Sequence, residues 1–236
     1  MFLAHRTLQA EYFDAPELSV DEARKHYAWL GRINRLTQFD RPFRRWLPET
    51  VGAERVAKLE LLDLGSGDGS LGRTLHQWAS QQGWDWQFTD LDLSPHTRRL
   101  NPSGRHVVGS VTALPFPDNH FDAVIATTMT HHLGTEAEVI AHFREAARVA
   151  RRGVLLCDLH RNPFFAAGLW SVLVALGAPG DFRRDGVLSV RRGWRVPEWR
   201  RLADAAGLSE ARIWSEHGTR VLLQLHKSPA SRPTAI

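Results

Sequence analysis

From Asp63 to Gly72 the chain reads Asp-Leu-Gly-Ser-Gly-Asp-Gly-Ser-Leu-Gly, at the end of an apolar run that begins at Leu59. Glycines at 65, 67 and 69 let a backbone turn sharply from strand to helix and approach a ligand where a β-carbon would collide. That ligand would lie outside the carboxyl end of the strand. Two ligand chemistries compete for the turn. Gly67, Gly69 and Gly72 satisfy G-x-G-x-x-G, with Asp92 about 20 residues on, which is the dinucleotide pattern. In a dinucleotide site, however, the first glycine follows the strand directly, and here that residue is Gly65. The set Gly65, Gly67, Ser70 then ends on a residue other than glycine. Asp68 would also place negative charge beside a pyrophosphate at the helix N-terminus. Asp63, an acid at the strand end, suits a cationic ligand.

Further along, His131 and His132 follow the apolar run Phe121 to Thr127, and Asp158 and His160 follow another, Gly153 to Leu159. A neutral imidazole is a suitable general base near pH 7, able to take a proton from a phenol or enol. Asp158 and His160, at i and i+2, share one side of an extended segment and would make a base with its orienting acid. The plainer alternatives are a helix-start role for the histidine pair and a salt bridge of Asp158 with Arg161. There are 12 histidines, but no H-x-x-x-H pair has a third ligand nearby, so no metal is expected. The single Cys157 excludes an intrachain disulfide, and its apolar surroundings make it a buried, inert thiol.

These residues need a frame of strands and helices. Helical spacing runs from Val20 to Phe39, with Ser19 or Asp21 as the cap. Strands are expected at Leu59–Leu64, Trp86–Leu93, Val107–Val108, Phe121–Thr127 and Gly153–Leu159. Helices are expected after the glycine turn (Leu71, Leu75, Trp78, Ala79), from Ser94-Pro95, and over Glu136–Ala150, Pro163–Leu176 and Pro197–Ala206. The segment Gly177–Arg195, rich in Arg and Gly, reads as a loop. Ala211–Glu216 and Thr219–His226, separated by His217-Gly218, form a closing antiparallel pair. Near-continuous apolar strands alternating with helices indicate an α/β fold with a largely parallel sheet covered on both faces.

Composition narrows the function classes. Hydrophobic residues make up 43% and charged residues 24% of the 236, which is a globular balance. No apolar run reaches the roughly 18 to 20 residues of a membrane span. Met1–Phe13 lacks the unbroken apolar stretch of a signal peptide, so a cytoplasmic protein is expected. The net charge is +4, but the arginine pairs are scattered among acidic neighbours, which describes a solvated surface rather than a nucleic-acid footprint. An anionic substrate clamped by Asp181–Arg195 is the minority reading.

Four segments, taken in order, resemble the class I S-adenosylmethionine-dependent methyltransferases: Asp63–Gly69, Asp92-Leu93-Ser94-Pro95, Ala113–Asp122 and Thr130-His131-His132-Leu133. The likeness spans roughly residues 58 to 160 and is nearest the small-molecule branch that includes ubiquinone and menaquinone methyltransferases. The amino and sulfonium groups of that cofactor are cations of the kind Asp63 favours. The resemblance implies a Rossmann-like sheet of seven strands with a C-terminal antiparallel hairpin. It also implies cofactor contacts from Asp63, Gly65, Ser66, Gly67 and Gly69. Asp92 would bind both ribose hydroxyls, Leu93 would pack on adenine, Ser110 and Val111 would meet the adenine amino group, and Thr127 and Thr128 would line the methionine side. Ser110 stands where the family usually has an acid, so a weakened adenine contact is expected. His131, His132 and His160 are the candidate catalytic residues.

The expected organisation is an N-terminal helical cap over 1–57, a methyltransferase domain over 58–228 with a lid insertion at 162–195, and a flexible tail over 229–236. The expected activity is methylation of a small molecule, favouring O-methylation of an aromatic or polyketide-like acceptor. C-methylation of a quinone-type precursor and NAD-dependent oxidoreduction are the alternatives. Neither a nucleic-acid partner nor a membrane span is expected, and the assembly is expected to be a monomer or homodimer.

Overall fold

The structure is a computed structural model that describes residues 3, 5–14, 18–52, 56–94, 97–101 and 104–227. Seven strands form one sheet in the order β3-β2-β1-β4-β5-β7-β6. They are β1 (Lys58–Leu64), β2 (Asp85–Asp92), β3 (His106–Val108), β4 (Phe121–Thr127), β5 (Ala150–Leu159), β6 (Arg212–Glu216) and β7 (Arg220–His226). The first five run parallel, and β7 joins β5 and β6 antiparallel, as the spacing around His217-Gly218 predicts. The helices are α1 (Val20–Leu36), α2 (Arg41–Val51), α3 (Ser70–Gln81), α4 (Thr97–Leu100), α5 (Glu136–Val149), α6 (Pro163–Ala175), α7 (Gly180–Arg192) and α8 (Val196–Ala205).

The two-residue period of a strand sends alternate side chains of β1 to opposite faces. Leu59 and Leu61 pack with Phe43 and Leu47 of α2 and Leu71 and Leu75 of α3. Leu62 and Leu64 pack with Val139 and Phe143 of α5 and Trp199 and Leu202 of α8. With both faces covered, β1 is buried from Leu61 to Leu64 and β4 from Phe121 to Ala126. Burying each such leucine is worth about 1.5–3 kcal/mol, so the strand carrying the glycine turn is firmly anchored in the sheet.

A third apolar cluster joins α1 to the α6–α7 pair through Ile33, Leu173, Ala178 and Phe182. It sets those helices beside the carboxyl ends of the strands. Ser19, one of the two predicted caps, closes a capping box with Glu22 at the start of α1. The expected loop Gly177–Arg195 is mostly helix: α7 buries Phe182, Leu188 and Val190 on one side. Its paired arginines mask that stripe in the sequence. α2 is also unforeseen, because Pro42 and Pro48 interrupt the pattern. The expected boundary between helix and fifth strand shifts, since β5 begins at Ala150. Residues 95 and 96 and the tail 229–236, for which a helix start and flexibility were expected, lie outside the described residues.

Candidate functional site

The glycine turn sits at the carboxyl end of β1, where the chain must rise off the sheet and enter α3. Gly65, Gly67 and Gly69 all have left-handed backbones, with φ of +65°, +56° and +72°. The amides of Gly65 and Ser66 donate to the carbonyl of Leu91, at 2.7 and 3.1 Å, tying the turn to β2. A β-carbon on Gly65 would collide with the Met129 side chain, and one on Gly67 would stand 2.8 Å from Cε1 of Tyr27. The turn is therefore bounded by α1 on one side and by the segment after β4 on the other.

Asp92 ends β2, and each of its carboxylate oxygens accepts one backbone N–H, Gly67 to Oδ2 and Ser94 to Oδ1, both at 2.9 Å. Burial raises its pKa, and those two amides pull it back. Each oxygen keeps lone-pair capacity for a further donor. Asp63 lies beneath the turn, fully buried and in register with Asp90 of β2. Neither of its carboxyl oxygens has a hydrogen-bond partner among the described residues. Burial, then the charges of Asp90, Asp92 and Asp68, push its pKa well above the usual range. A cation brought to this corner would relieve three neighbouring acids at once.

Leu93 projects into solvent with 71% of its surface exposed, leaving an apolar platform at the end of β2. The Ser110 hydroxyl lies 2.8 Å from that of Thr112, and the Val111 side chain belongs to the core rather than to the rim. Past Thr127, Thr128 adopts φ +47°, an uncommon conformation for a β-branched residue. This kink delivers Met129 to the turn and starts the short helical turn Thr130–His132.

That turn is where distant segments meet. The buried Asp158 at the end of β5 accepts the His131 amide on Oδ2 and His131 Nδ1 on Oδ1, both at 2.7 Å. Burial alone would raise the Asp158 pKa, but the charge and hydrogen bonds of His131 and the Leu159 amide outweigh it and hold the group below the usual carboxylate range. An ionised carboxylate only accepts, so Nδ1 of His131 carries the proton and Nε2 is left basic. Nε2 lies 3.8 Å from Glu11 Oε1. His132 Nδ1 stands 2.9 Å from Asp14 Oδ1. Burial favours a raised Asp14 pKa as well, yet His132 and Arg192 together bring it below its ordinary value. Arg192 of α7 spans the cluster, donating to Asp14 at 2.5 Å and to the carbonyls of His131 and His132 at 3.2 and 3.1 Å.

The expected pairing of Asp158 with His160 is not what forms. Asp158 turns to His131, whereas His160 Nδ1 lies 3.2 Å from the carbonyl of Gly218 in the β6–β7 connection. Nor does Asp158 bridge to Arg161, which is buried against Glu198 and the carbonyls of Gly193 and Leu3. The structure thus groups Asp63, Gly65, Gly67, Gly69 and Asp92 at one corner and His131 with His132 beside it, and it sets His160 apart.

Tyr27, Met129, Glu11, Asp14 and Arg192 were not read as site residues. Tyr27 looks like an ordinary helix position, Arg192 falls in a segment read as a solvated loop of arginines, and Glu11 and Asp14 meet His131, His132 and Arg192 from more than a hundred residues away. Above the turn, Tyr27 meets Phe13 edge-on at 5.2 Å, and Phe13 stacks on His26 at 3.7 Å. His26 touches Phe182 of α7.

Residues 62–157 match the family model of the methyltransferase domain. Among solved structures, the fold is shared with a candidate S-adenosyl-L-methionine-dependent methyltransferase of Methanococcus maripaludis, at TM-score 0.61 and 17% identity, covering 95% of this chain and 100% of that one. A SAM-dependent methyltransferase of Aquifex aeolicus gives 0.54 and 16%, covering 89% and 98%. The magnesium protoporphyrin IX methyltransferase of Synechocystis, solved with bound SAH, gives 0.55 and 16%, covering 84% and 85%. No curated protein sequence matches the chain. Residues 62–157 thus carry a methyltransferase domain, on a sheet with the Rossmann-like topology shared by S-adenosylmethionine-dependent methyltransferases. No described helix is long and apolar enough to cross a membrane.

Proposed function

We propose that this methyltransferase moves a methyl group from S-adenosylmethionine to an oxygen of a small aromatic or polyketide-like acceptor. The observation that carries the proposal is the carboxylate-held pair His131–His132, which begins two residues past Met129, whose side chain packs against the cofactor turn. The unpartnered acid Asp63 and the cradle at Gly65 and Gly67, which a β-carbon would fill, both suit the cofactor. Asp92 would take the ribose hydroxyls on its free lone pairs, and Leu93 would face the adenine.

When bound, S-adenosylmethionine supplies a methyl group on a sulfonium that already carries its leaving group. The protein's work is then to set the acceptor oxygen about 3–3.5 Å from that carbon, in line with the bond that breaks, and to draw off its hydroxyl proton. An imidazole whose Nδ1 is tied to a carboxylate presents Nε2 as its basic atom, and both His131 and His132 are tied in this way. α1, with Tyr27, and the segment 162–195 act as the lid that excludes water. Phe182 on α7 and Trp29 on α1 pack together there, with ring centroids 6.0 Å apart.

Incubation with deuterated-methyl S-adenosylmethionine and a panel of phenols, enols and quinols, read by mass shift, tests the proposal. A product demethylated by boron tribromide indicates an ether, whereas a methyl group that survives assigns the carbon-methylation alternative.

A further inference from the structure

Among the described residues, one nitrogen from each of His131 and His132 and one carboxylate oxygen of Glu11 lie within 4.8 Å of one another. We propose that these three side chains bind a divalent first-row transition-metal ion. Adjacent histidines and a glutamate far upstream make no ligand spacing that a sequence scan registers, which is why none was expected there; the fold alone assembles the set.

Two features of the cluster favour an ion over a plain hydrogen-bond network. Both imidazoles give Nδ1 to a carboxylate, Asp158 at 2.7 Å and Asp14 at 2.9 Å. Histidine ligands of metal sites are oriented in this way, with Nε2 left for the ion and the carboxylate raising its basicity. Glu11 is buried, and its Oε1 lies 3.8 Å from His131 Nε2, on the side of the ring away from Asp158. Arg192 also reaches Glu11 but is directed mainly elsewhere. Its closest contact is Asp14 at 2.5 Å, its other donors go to the carbonyls of His131 and His132, and Glu11 at 3.4 Å is the weakest of its four contacts.

Two imidazoles and one carboxylate form a donor set suited to Zn²⁺, Fe²⁺ or Co²⁺ rather than to Mg²⁺ or Ca²⁺, which favour all-oxygen sites. Bond lengths near 2.0–2.2 Å ask the three side chains to close by small rotamer shifts. His131 is only 2% exposed and Glu11 7%, so any open coordination position lies on the side of the half-buried His132. There the ion would lower the pKa of an acceptor hydroxyl bound to it, and the proton would leave to solvent, since the Nε2 atoms that hold the ion could not take it. That role, though not the binding itself, rests on the oxygen-acceptor reading.

Full-length protein stripped with chelator and then dialysed is titrated with Zn²⁺ by calorimetry and with Co²⁺ by visible absorption, with Mg²⁺ as the hard-ion control. The expected result is one high-affinity site with a Co²⁺–imidazole d–d band. It should weaken at least 100-fold in Glu11→Gln and in His132→Ala, and 10–100-fold in Asp14→Asn, where only the orienting carboxylate is lost. His226→Ala, an exposed histidine at the end of β7, should leave it unchanged. Melting curves confirm folding, and Asp14→Asn stands in if Glu11→Gln does not fold. Absence of a stoichiometric site, or a site indifferent to Glu11 and His132, overturns the proposal. S-adenosylhomocysteine affinity, measured on the same samples, keeps the two readings distinguishable: if it persists along with chelator-resistant methyl transfer, the metal inference fails and the proposed function stands.

Discussion

Replacing Gly67 with alanine asks whether the turn is shaped by close approach. The residue sits at φ +56°, where a β-carbon costs about 1–2 kcal/mol. That carbon would also stand 2.8 Å from Tyr27 Cε1 and 2.9 Å from its hydroxyl, well inside the roughly 3.5–4.0 Å of ordinary contact. The ring would have to move by about 1 Å, loosening its edge-on contact with Phe13, a type of contact worth about 0.5–1.5 kcal/mol. The sum is about 2–3 kcal/mol, or about 4–12 °C in Tm for a chain of this length. Gly83 provides the control, since its φ is +77° and nothing lies within 4 Å of an added β-carbon. Gly83→Ala should incur the backbone strain alone and leave S-adenosylhomocysteine binding intact. Gly67→Ala should lose about 1 kcal/mol more and bind the ligand at least 10-fold more weakly, with Tyr27→Ala restoring part of the stability in the double variant. Scanning calorimetry and ligand titration read both effects. A Gly67→Ala protein no less stable than Gly83→Ala, with wild-type affinity, would refute the reasoning.

Other outcomes follow from the same geometry. His131→Ala should lower methyl transfer by about 10²–10⁴-fold while His160→Ala, bonded to the Gly218 carbonyl, changes it by only a few-fold; equal losses would remove the distinction. His142 is fully buried, and burial lowers its pKa to about 4, so the unfolded chain binds a proton between about pH 6.5 and 4 that the folded chain refuses. Stability should therefore fall on acidification through that window, by up to about 3 kcal/mol, and His142→Phe should flatten the fall; an unchanged pH slope of Tm in that variant would contradict this. Cys157 is buried with its pKa pushed up to about 12, so iodoacetamide at pH 8 should label it only after unfolding.

The parts of the fold visible in the sequence are those whose signals are local. Leu59 to Leu64, the glycines after them and Asp92 are set by neighbours within a few residues, and each takes its expected place. α2 was hidden by prolines that a helix tolerates at its start and, with tertiary support, at Pro48. α7 was hidden because its paired arginines break up an apolar stripe that only packing on α1 and α6 explains. Around His131 and His132 the sequence offered only Asp158 besides, and paired it with His160. Asp158, Glu11, Asp14 and Arg192 come from three other stretches of chain, and choosing His131 over His160 as the partner of Asp158 depends on the kink at Thr128, which no spacing rule encodes. α6 shows the reverse case: its apolar sequence suggested core or substrate cover, yet Phe164 is 86% exposed.

The most direct test of the cofactor site is calorimetric titration of the wild-type protein and of Asp92→Ala with S-adenosylhomocysteine and, separately, with NADH. Loss of two hydrogen bonds to a charged acceptor, at about 1.5 kcal/mol each or more, should weaken S-adenosylhomocysteine by about 100-fold or more, and NADH should not bind either protein. Binding of NADH in place of S-adenosylhomocysteine would contradict the assignment of the glycine turn and of every site residue built on it.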